Sequence, residues 1–93
     1  MTAELLLAID NGTQSVRALV FDLQGNLVAK SQVRLPQYLT PAPGLIEQEP
    51  RVFWESVCQA CQELWQLPGV SKEAVVGVAI TTQRNTMINL DKQ

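Results

Sequence analysis

A run of five apolar residues, Leu5-Leu6-Leu7-Ala8-Ile9, leads directly into the polar turn Asp10-Asn11-Gly12-Thr13-Gln14-Ser15. This junction constrains the fold more than any other stretch of the chain. An apolar residue at every position is typical of a strand that is buried on both faces, so we predict that residues 5–9 lie centrally in a sheet. Asn-Gly is a strong hairpin signal because both residues tolerate positive φ angles. Residues 16–22 are mostly apolar again and are predicted to return as an antiparallel strand.

The rest of the chain predicts one more hairpin strand, a helix and two later strands. Residues 27–35 alternate apolar and polar side chains after the turn Gln24-Gly25-Asn26, which is typical of a strand near a sheet edge. Residues 75–80 form a second apolar strand, which follows a helix and should therefore lie parallel to the first strand. Residues 86–90 are predicted to be a fifth strand. The fold class is α/β, with a three-stranded antiparallel meander, a helix, a parallel strand and a further strand.

A helix is predicted over residues 50–67, between a proline-rich loop and the Pro68-Gly69 pair. Its helical spacing predicts one buried stripe, made of Trp54, Val57, Cys58, Cys61, Leu64 and Trp65. Cys58 and Cys61 are spaced C-x-x-C, but redox pairs of this kind lie at helix N-termini and these two lie mid-helix. With no histidine and no third cysteine, they cannot complete a zinc site in this chain. We therefore assign both to the core.

Composition and charge exclude several classes of function. The 93 residues carry a formal net charge of -2 without a basic patch, so nucleic acid is not expected as a partner. No apolar run approaches the roughly 20 residues of a membrane helix, and Met1-Thr2-Ala3-Glu4 is acidic where a signal peptide would be basic. We therefore expect a cytoplasmic protein with no membrane partner. Asp91-Lys92-Gln93 resembles the opening of a turn, so we expect the chain to belong to a longer protein.

The first turn carries the residue types of a phosphate and metal site. The backbone amides and hydroxyls of such a hairpin can cradle phosphates, with Thr13 and Ser15 bonding phosphate oxygens and Arg17 reaching them. Asp10 at the strand end would hold Mg²⁺ through water, since Mg²⁺ keeps several of its waters. An ordinary type I′ hairpin with polar residues has the same composition. Turn chemistry alone leaves both interpretations open.

A second polar cluster, Thr81-Thr82-Gln83-Arg84-Asn85, follows the second apolar strand, at the end where ligands bind in α/β sheets. A guanidinium and two carboxamides suit the hydroxyls of a sugar. The alternative interpretation is a solvated loop at a strand end. Glu47 and Glu49 form a further candidate pair of carboxylates in the proline-rich loop, for which surface or inter-segment contacts are the alternative.

Residues 7–15 together with Arg17 resemble the first phosphate-binding segment of the actin/Hsp70/sugar-kinase ATPase superfamily. Phe21-Asp22, followed by Gly25-Asn26, resembles the continuation of that hairpin in the FGGY carbohydrate kinases. Residues 43–50, followed by Trp54, look like that family's Pro-Gly…Glu-x-(Asp/Glu)-Pro…Trp stretch. Residues 78–86 look like its Gly-Ile-x-x-Gln-Arg-x-Thr segment. The segments occur in the family's order and the resemblance extends over nearly the whole chain.

The resemblance implies an ATP- and Mg²⁺-dependent kinase that acts on a sugar or polyol such as xylulose, ribulose, gluconate or glycerol. It implies a fold of two ribonuclease H-like domains around a cleft, with residues 1–93 forming the N-terminal part of the first domain. Asp10 would assist Mg²⁺, while Gln83 and Arg84 would face the sugar. The cofactor-binding set would be Asp10, Gly12, Thr13, Gln14, Ser15 and Arg17, with Gly12 and Thr13 approaching the β- and γ-phosphates.

The chain departs from the family pattern at one position, and two other classes of function remain alternatives. Glycerol kinases of the family carry Glu after this Arg, where the chain has Asn85, which argues against glycerol as the substrate. The family's general base and adenosine-binding loops fall beyond position 93, so we expect the chain alone to be inactive as a kinase. An uncovered apolar face should also make it associate, and a homo-oligomeric whole protein is left open. The alternatives are a chaperone- or actin-type ATPase, in which the same turn drives conformational cycling, and a non-catalytic module.

Overall fold

The structure, a computed structural model, describes residues 3–36, 42–43 and 49–81. Within these ranges the elements in chain order are β1 (Leu5–Asn11), β2 (Ser15–Asp22), β3 (Leu27–Arg34), α1 (Pro50–Trp65), a short 3₁₀ helix (Lys72–Ala74) and β4 (Val75–Ile80). The predicted strands and helix are confirmed, with small differences at their ends. The predicted fifth strand over residues 86–90 lies outside the described residues.

The four strands form one mixed sheet in the order β3-β2-β1-β4. β1 pairs antiparallel with β2 and parallel with β4, and β2 pairs antiparallel with β3. The apolar first strand therefore lies inside the sheet, as predicted, and the strand that follows the helix returns parallel to it. The meander and the parallel crossover together confirm the predicted α/β class.

One face of the sheet builds the core because α1 packs across β2 and β3 on that face. Side chains alternate along each strand, so the core takes every second residue of β1 and β2, together with residues of the helical segments. The buried apolar residues are Leu5, Leu7, Ile9, Val16, Ala18, Val20, Ala60, Leu64 and Ala74. The opposite face, which we call the open face, carries Leu6, Ala8, Leu19 and Phe21 among its apolar residues.

The prediction that the first apolar strand is buried on both faces is wrong for the described residues. Leu6 on the open face is 39% exposed. Val78 and Ile80 of β4 pair with core residues of β1, yet they are 58% and 62% exposed. The reason is that α1 packs across β2 and β3, so β4 lies beyond the area that the helix covers.

The helix begins at Pro50, where the missing N–H of proline costs nothing because the first helical N–H groups have no intrahelical acceptor. Its buried side chains are Ser56, Ala60 and Leu64. The predicted stripe is wrong about Trp54, which is 68% exposed. Most of the predicted stripe does face the core, since Leu64 is buried and Val57, Cys61 and Trp65 pack against it. The buried side also extends beyond the predicted stripe to Ser56 and Ala60.

Small side chains explain why the buried side includes Ser56 and Ala60. Ser56 and Ala60 let the helix backbone approach the sheet so closely that the Ser31 hydroxyl of β3 donates a hydrogen bond to the Ala60 carbonyl. A pattern that counts only large apolar residues misses such positions. Cys61 still packs against the core, where burial, followed by the neighbouring Cys58, raises the pKa of its thiol. Both cysteines are free thiols, consistent with the assignment to packing.

No helix within residues 3–36, 42–43 and 49–81 is both long and apolar enough to cross a membrane. The longest, α1, has 16 residues and contains charged side chains along its length. This finding concerns the helices of the described ranges alone.

We predict that the isolated 93-residue chain associates through the uncovered part of β4. Val78→Lys and Ile80→Lys should each shift the chain towards monomer, because each places a charge where more than half of an apolar side chain is now exposed. Leu23→Lys is the matched control, since Leu23 is 55% exposed but lies in the turn after β2. Sedimentation velocity over a concentration series measures the distribution. A stable monomer of the unmodified chain at high concentration would contradict the prediction.

Candidate functional site

Four polar side chains cross the sheet in a single row at the carboxyl ends of β1 and β4. Asp10 of β1 pairs with Arg17 of β2, and Arg17 pairs with Gln32 of β3. Thr81 extends the β1–β4 ladder by one residue, because its N–H donates to the Ile9 carbonyl at 2.9 Å. We call Thr81, Asp10, Arg17 and Gln32 the polar row. Alternation along the strands places it on the open face, opposite α1.

The Asp10 carboxylate is held through both of its oxygens. Arg17 Nη2 donates to Oδ2, and Thr81 Oγ1 donates to Oδ1 at 2.9 Å. The hydrogen bond from Arg17, followed by that from Thr81, lowers the pKa of Asp10 below its ordinary value. The carboxylate is therefore ionised at neutral pH. Its side chain is 33% exposed, so a ligand can still reach it.

Thr81 also holds Asn11, the last residue of β1 before the loop. Its Oγ1 accepts a hydrogen bond from the Asn11 N–H at 3.0 Å, and its carbonyl accepts one from Asn11 Nδ2 at 3.1 Å. The Asn11 side chain thus bridges β1 to the end of β4 rather than forming part of a turn. The end of β4 and the start of the loop are joined by both side-chain and backbone groups.

The loop of residues 12–14 is closed by a hydrogen bond from the Gly12 N–H to the Ser15 carbonyl at 2.9 Å. A Cβ atom on Gly12 would lie 2.9 Å from that same carbonyl oxygen, so only glycine fits here without a backbone shift. The type I′ alternative is wrong, because Asn11 remains in β1 and positive φ angles among the described glycines occur at Gly25 and Gly69 only. Asn-Gly signals the hairpin correctly, but for a different geometric reason.

The third strand supports the loop from its other side. Gln32 Nε2 donates to the Ser15 hydroxyl at 3.0 Å, and the Leu35 N–H donates to the Gln14 carbonyl at 2.9 Å. Thr13 and Gln14 at the tip are exposed. The loop is therefore an exposed tip on a base that is held from β4 on one side and from β3 on the other.

The residues present fit a magnesium ion and a nucleotide phosphate. Mg²⁺ in nucleotide sites typically takes one or two carboxylates and completes its octahedron with water and phosphate oxygens. Asp10 offers one ionised, accessible carboxylate of this kind. Arg17 is 50% exposed, and its guanidinium carries five N–H donors, so pairing with Asp10 leaves donors for a phosphate oxygen.

The structure brings together Asp10, Gly12, Thr13, Gln14, Ser15 and Arg17, which are the residues predicted to bind the cofactor. Gln83 and Arg84, predicted to face the sugar, lie outside the described residues, as do Asn85 and Glu47. Sequence reasoning missed Gln32 and the contact between Thr81 and Asp10. A signal for the second was present, because Asp10 and Thr81 each directly follow an apolar run that ends in isoleucine.

Comparison with known proteins identifies the family of this chain. Residues 5–93 match the FGGY family of carbohydrate kinases, N-terminal domain. The chain belongs to the FGGY family of carbohydrate kinases. Membership of this family favours the carbohydrate kinases over the chaperone- and actin-type ATPases, which share the first phosphate-binding segment.

Individual relatives are sugar and polyol kinases by name. Glycerol kinase 1 of Lactiplantibacillus plantarum is 40% identical over 93 residues, which is 100% of this chain and 18% of the relative. The apulose kinase of Pectobacterium atrosepticum is 39% identical over 93 residues, with the same shares of the two chains. The chain thus spans less than a fifth of the length of these curated relatives.

Solved structures support the fold independently. A sugar kinase ("xyloylose kinase") from Brucella ovis superposes with a TM-score of 0.77 at 27% identity, covering 83% of this chain and 16% of that one. A gluconate kinase from Lactobacillus acidophilus gives a TM-score of 0.74 over 87% of this chain and 16% of that one. At 18% identity, the second likeness concerns the fold alone. The ribonuclease H-like expectation is confirmed, in a chain that contains part of the fold.

We predict that Gly12→Ala destabilises the chain by about 1–3 kcal/mol, the usual cost of an overpacked site. The added Cβ would meet a backbone carbonyl at 2.9 Å, and a backbone carbonyl cannot rotate away. Gly77→Ala is the matched control, because its Cβ would meet the Leu6 Cδ2 atom at 3.2 Å and that side chain can turn aside. Urea unfolding of both variants measures the difference. Equal costs at the two glycines would contradict this explanation of the loop.

Proposed function

We propose that the full-length protein transfers a phosphoryl group from ATP to a hydroxyl of a sugar or polyol, with Mg²⁺ as the required metal. The observation that carries this proposal is that Arg17 and Thr81 each donate a hydrogen bond to the Asp10 carboxylate, at the base of an exposed hairpin loop. Membership of the FGGY family supports the same activity. Phosphoryl transfer depends mainly on positioning and on charge stabilisation, which a carboxylate fixed in this way serves.

The hairpin divides the proposed roles among its residues. Asp10 would hold Mg²⁺ through water, and the bound metal would neutralise charge that develops on the phosphates. The loop from Gly12 to Ser15 would approach the β- and γ-phosphates with backbone N–H groups and hydroxyls. Arg17 would keep one donor on Asp10 and offer the others to a phosphate oxygen. Support from β3 and β4 keeps the base of the loop in place without a ligand.

The acceptor is proposed to be a small polyhydroxylated molecule. Gln83 and Arg84 would bind its hydroxyls, following the family resemblance of residues 78–86. The names of the relatives range over glycerol, apulose, gluconate and xyloylose kinases, so the family alone does not select one substrate. Asn85 in place of Glu favours a substrate other than glycerol.

The test of this function is a coupled ADP assay on the full-length protein with a panel of sugars and polyols, together with Asp10→Asn. Loss of the charge that holds the metal through water should lower kcat by about 10–100-fold, the usual cost of removing such an outer partner of a metal. Asp22→Asn is the matched control, because Asp22 also ends a strand before a glycine-containing turn. It should retain kcat. Unchanged transfer in the Asp10 variant with every active substrate would refute the assigned metal role.

We also predict that the 93-residue chain alone transfers no phosphoryl group. The polar row and the loop of residues 12–14 supply the proposed phosphate and metal residues. The proposed roles of these residues do not include the base that takes the proton of the acceptor hydroxyl. The same coupled assay, run on the purified chain with the substrate preferred by the full-length protein, measures this. ATP-dependent phosphorylation above the rate without protein would show that the chain contains a complete site.

A further inference from the structure

We propose that Thr81 is a positioning residue for the metal site, and that its hydroxyl fixes the orientation of the Asp10 carboxylate relative to the phosphate loop. The inference rests on the proposed function, because it concerns the same hairpin. It adds a residue that directly follows β4 and lies 71 positions from Asp10 in sequence. The role assigned to it is orientation of the carboxylate rather than direct contact with the ligands.

All the polar groups of Thr81 form hydrogen bonds with residues of β1. Its N–H donates to the Ile9 carbonyl and its carbonyl accepts from Asn11 Nδ2. Its hydroxyl donates to Asp10 Oδ1 at 2.9 Å and accepts from the Asn11 N–H at 3.0 Å. Four hydrogen bonds from one residue thus reach three consecutive residues of β1.

The hydroxyl is the group that links the carboxylate to the backbone. Because the same oxygen donates to Asp10 and accepts from the Asn11 amide, the position of the carboxylate is set relative to the backbone from which the loop starts. The other partner of Asp10 is Arg17, a long side chain that is half exposed. Without the hydroxyl, the carboxylate would depend on this adaptable partner, and a water-mediated metal would lose a fixed ligand direction.

Two substitutions distinguish the effect of the Thr81 hydroxyl from that of the rest of the side chain. Thr81→Val keeps the branched shape and the backbone hydrogen bonds but removes the hydroxyl, and valine suits a strand end. Thr81→Ser keeps the hydroxyl and removes the methyl group. Ser71→Ala is the control for loss of a hydroxyl–carboxylate hydrogen bond as such, because Ser71 Oγ donates to Glu73 Oε2 at 3.0 Å outside the polar row.

The measured quantity is the contribution of the metal to nucleotide binding in the full-length protein. Calorimetry gives the dissociation constant of ADP with and without Mg²⁺, and the ratio of the two constants isolates the metal. Partners that orient a metal ligand typically contribute 10–100-fold to metal affinity. We expect Thr81→Val to reduce the ratio at least about tenfold. Thr81→Ser and Ser71→Ala should leave it within about twofold of the unmodified protein, a margin that is small beside that effect.

Steady-state kinetics provide a second measure. The Mg²⁺ concentration for half-maximal rate should rise in Thr81→Val, while the KM for the acceptor stays unchanged. Thermal unfolding without metal checks folding, and Thr81→Ala replaces the valine variant if that variant does not fold.

Two results would overturn the role of Thr81: an unchanged binding ratio in the variant without the hydroxyl, or equal losses in the valine and serine variants. A full-length protein that binds ADP without any effect of Mg²⁺ would instead refute the proposed function, and the role of Thr81 with it.

Discussion

The parallel pairing of β1 with β4 is the constraint on which the site depends. It joins segments about 70 residues apart and sets Ile9 beside Ile80, so that Asp10 and Thr81 follow in matching positions. Because side chains alternate along a strand, a shift of one residue in this register would move the Thr81 hydroxyl to the face that carries α1. The register of β1 with β4 thus brings the polar residues of the site together.

The contact between Arg17 and Asp10 contributes orientation more than stability. Both side chains are substantially exposed, and exposed ion pairs are typically worth at most about 1 kcal/mol. The arrangement differs from an ordinary surface pair because Thr81 holds the second carboxylate oxygen from another strand. A carboxylate fixed from both sides before any ligand arrives needs little reorganisation when charge develops near it. That property, rather than folding energy, is what a metal and phosphate site requires.

Sequence patterns predicted the strands and the helix of this fold better than they predicted which side chains are buried or in contact. The order of strands, the parallel return after the helix and the hairpin at Asp10 all follow from local apolar runs and turn residues. The burial of Ser56 and Ala60 on α1 does not follow from such patterns, because these residues are buried for their small size, which apolar spacing does not detect. The exposure of Val78 and Ile80 does not follow from sequence patterns either, since it depends on where the helix lies over the sheet. The contact between Thr81 and Asp10 required the register, which no single segment encodes.

The two hairpins of the meander show why turn composition could not decide function. Asp10 and Asp22 each lie at or near the end of a strand, before a turn that contains glycine. Asp22 accepts hydrogen bonds from Gln24 and Asn26, so its partners lie within four residues and its lowered pKa comes first from the Asn26 backbone. It is a carboxylate that stabilises its own turn. Asp10 has partners seven and 71 residues away, one on β2 and one directly after β4. Partners on separate strands fix a carboxylate relative to the whole sheet, and this range of contact, invisible in the turn itself, is what distinguishes the candidate site from an ordinary hairpin.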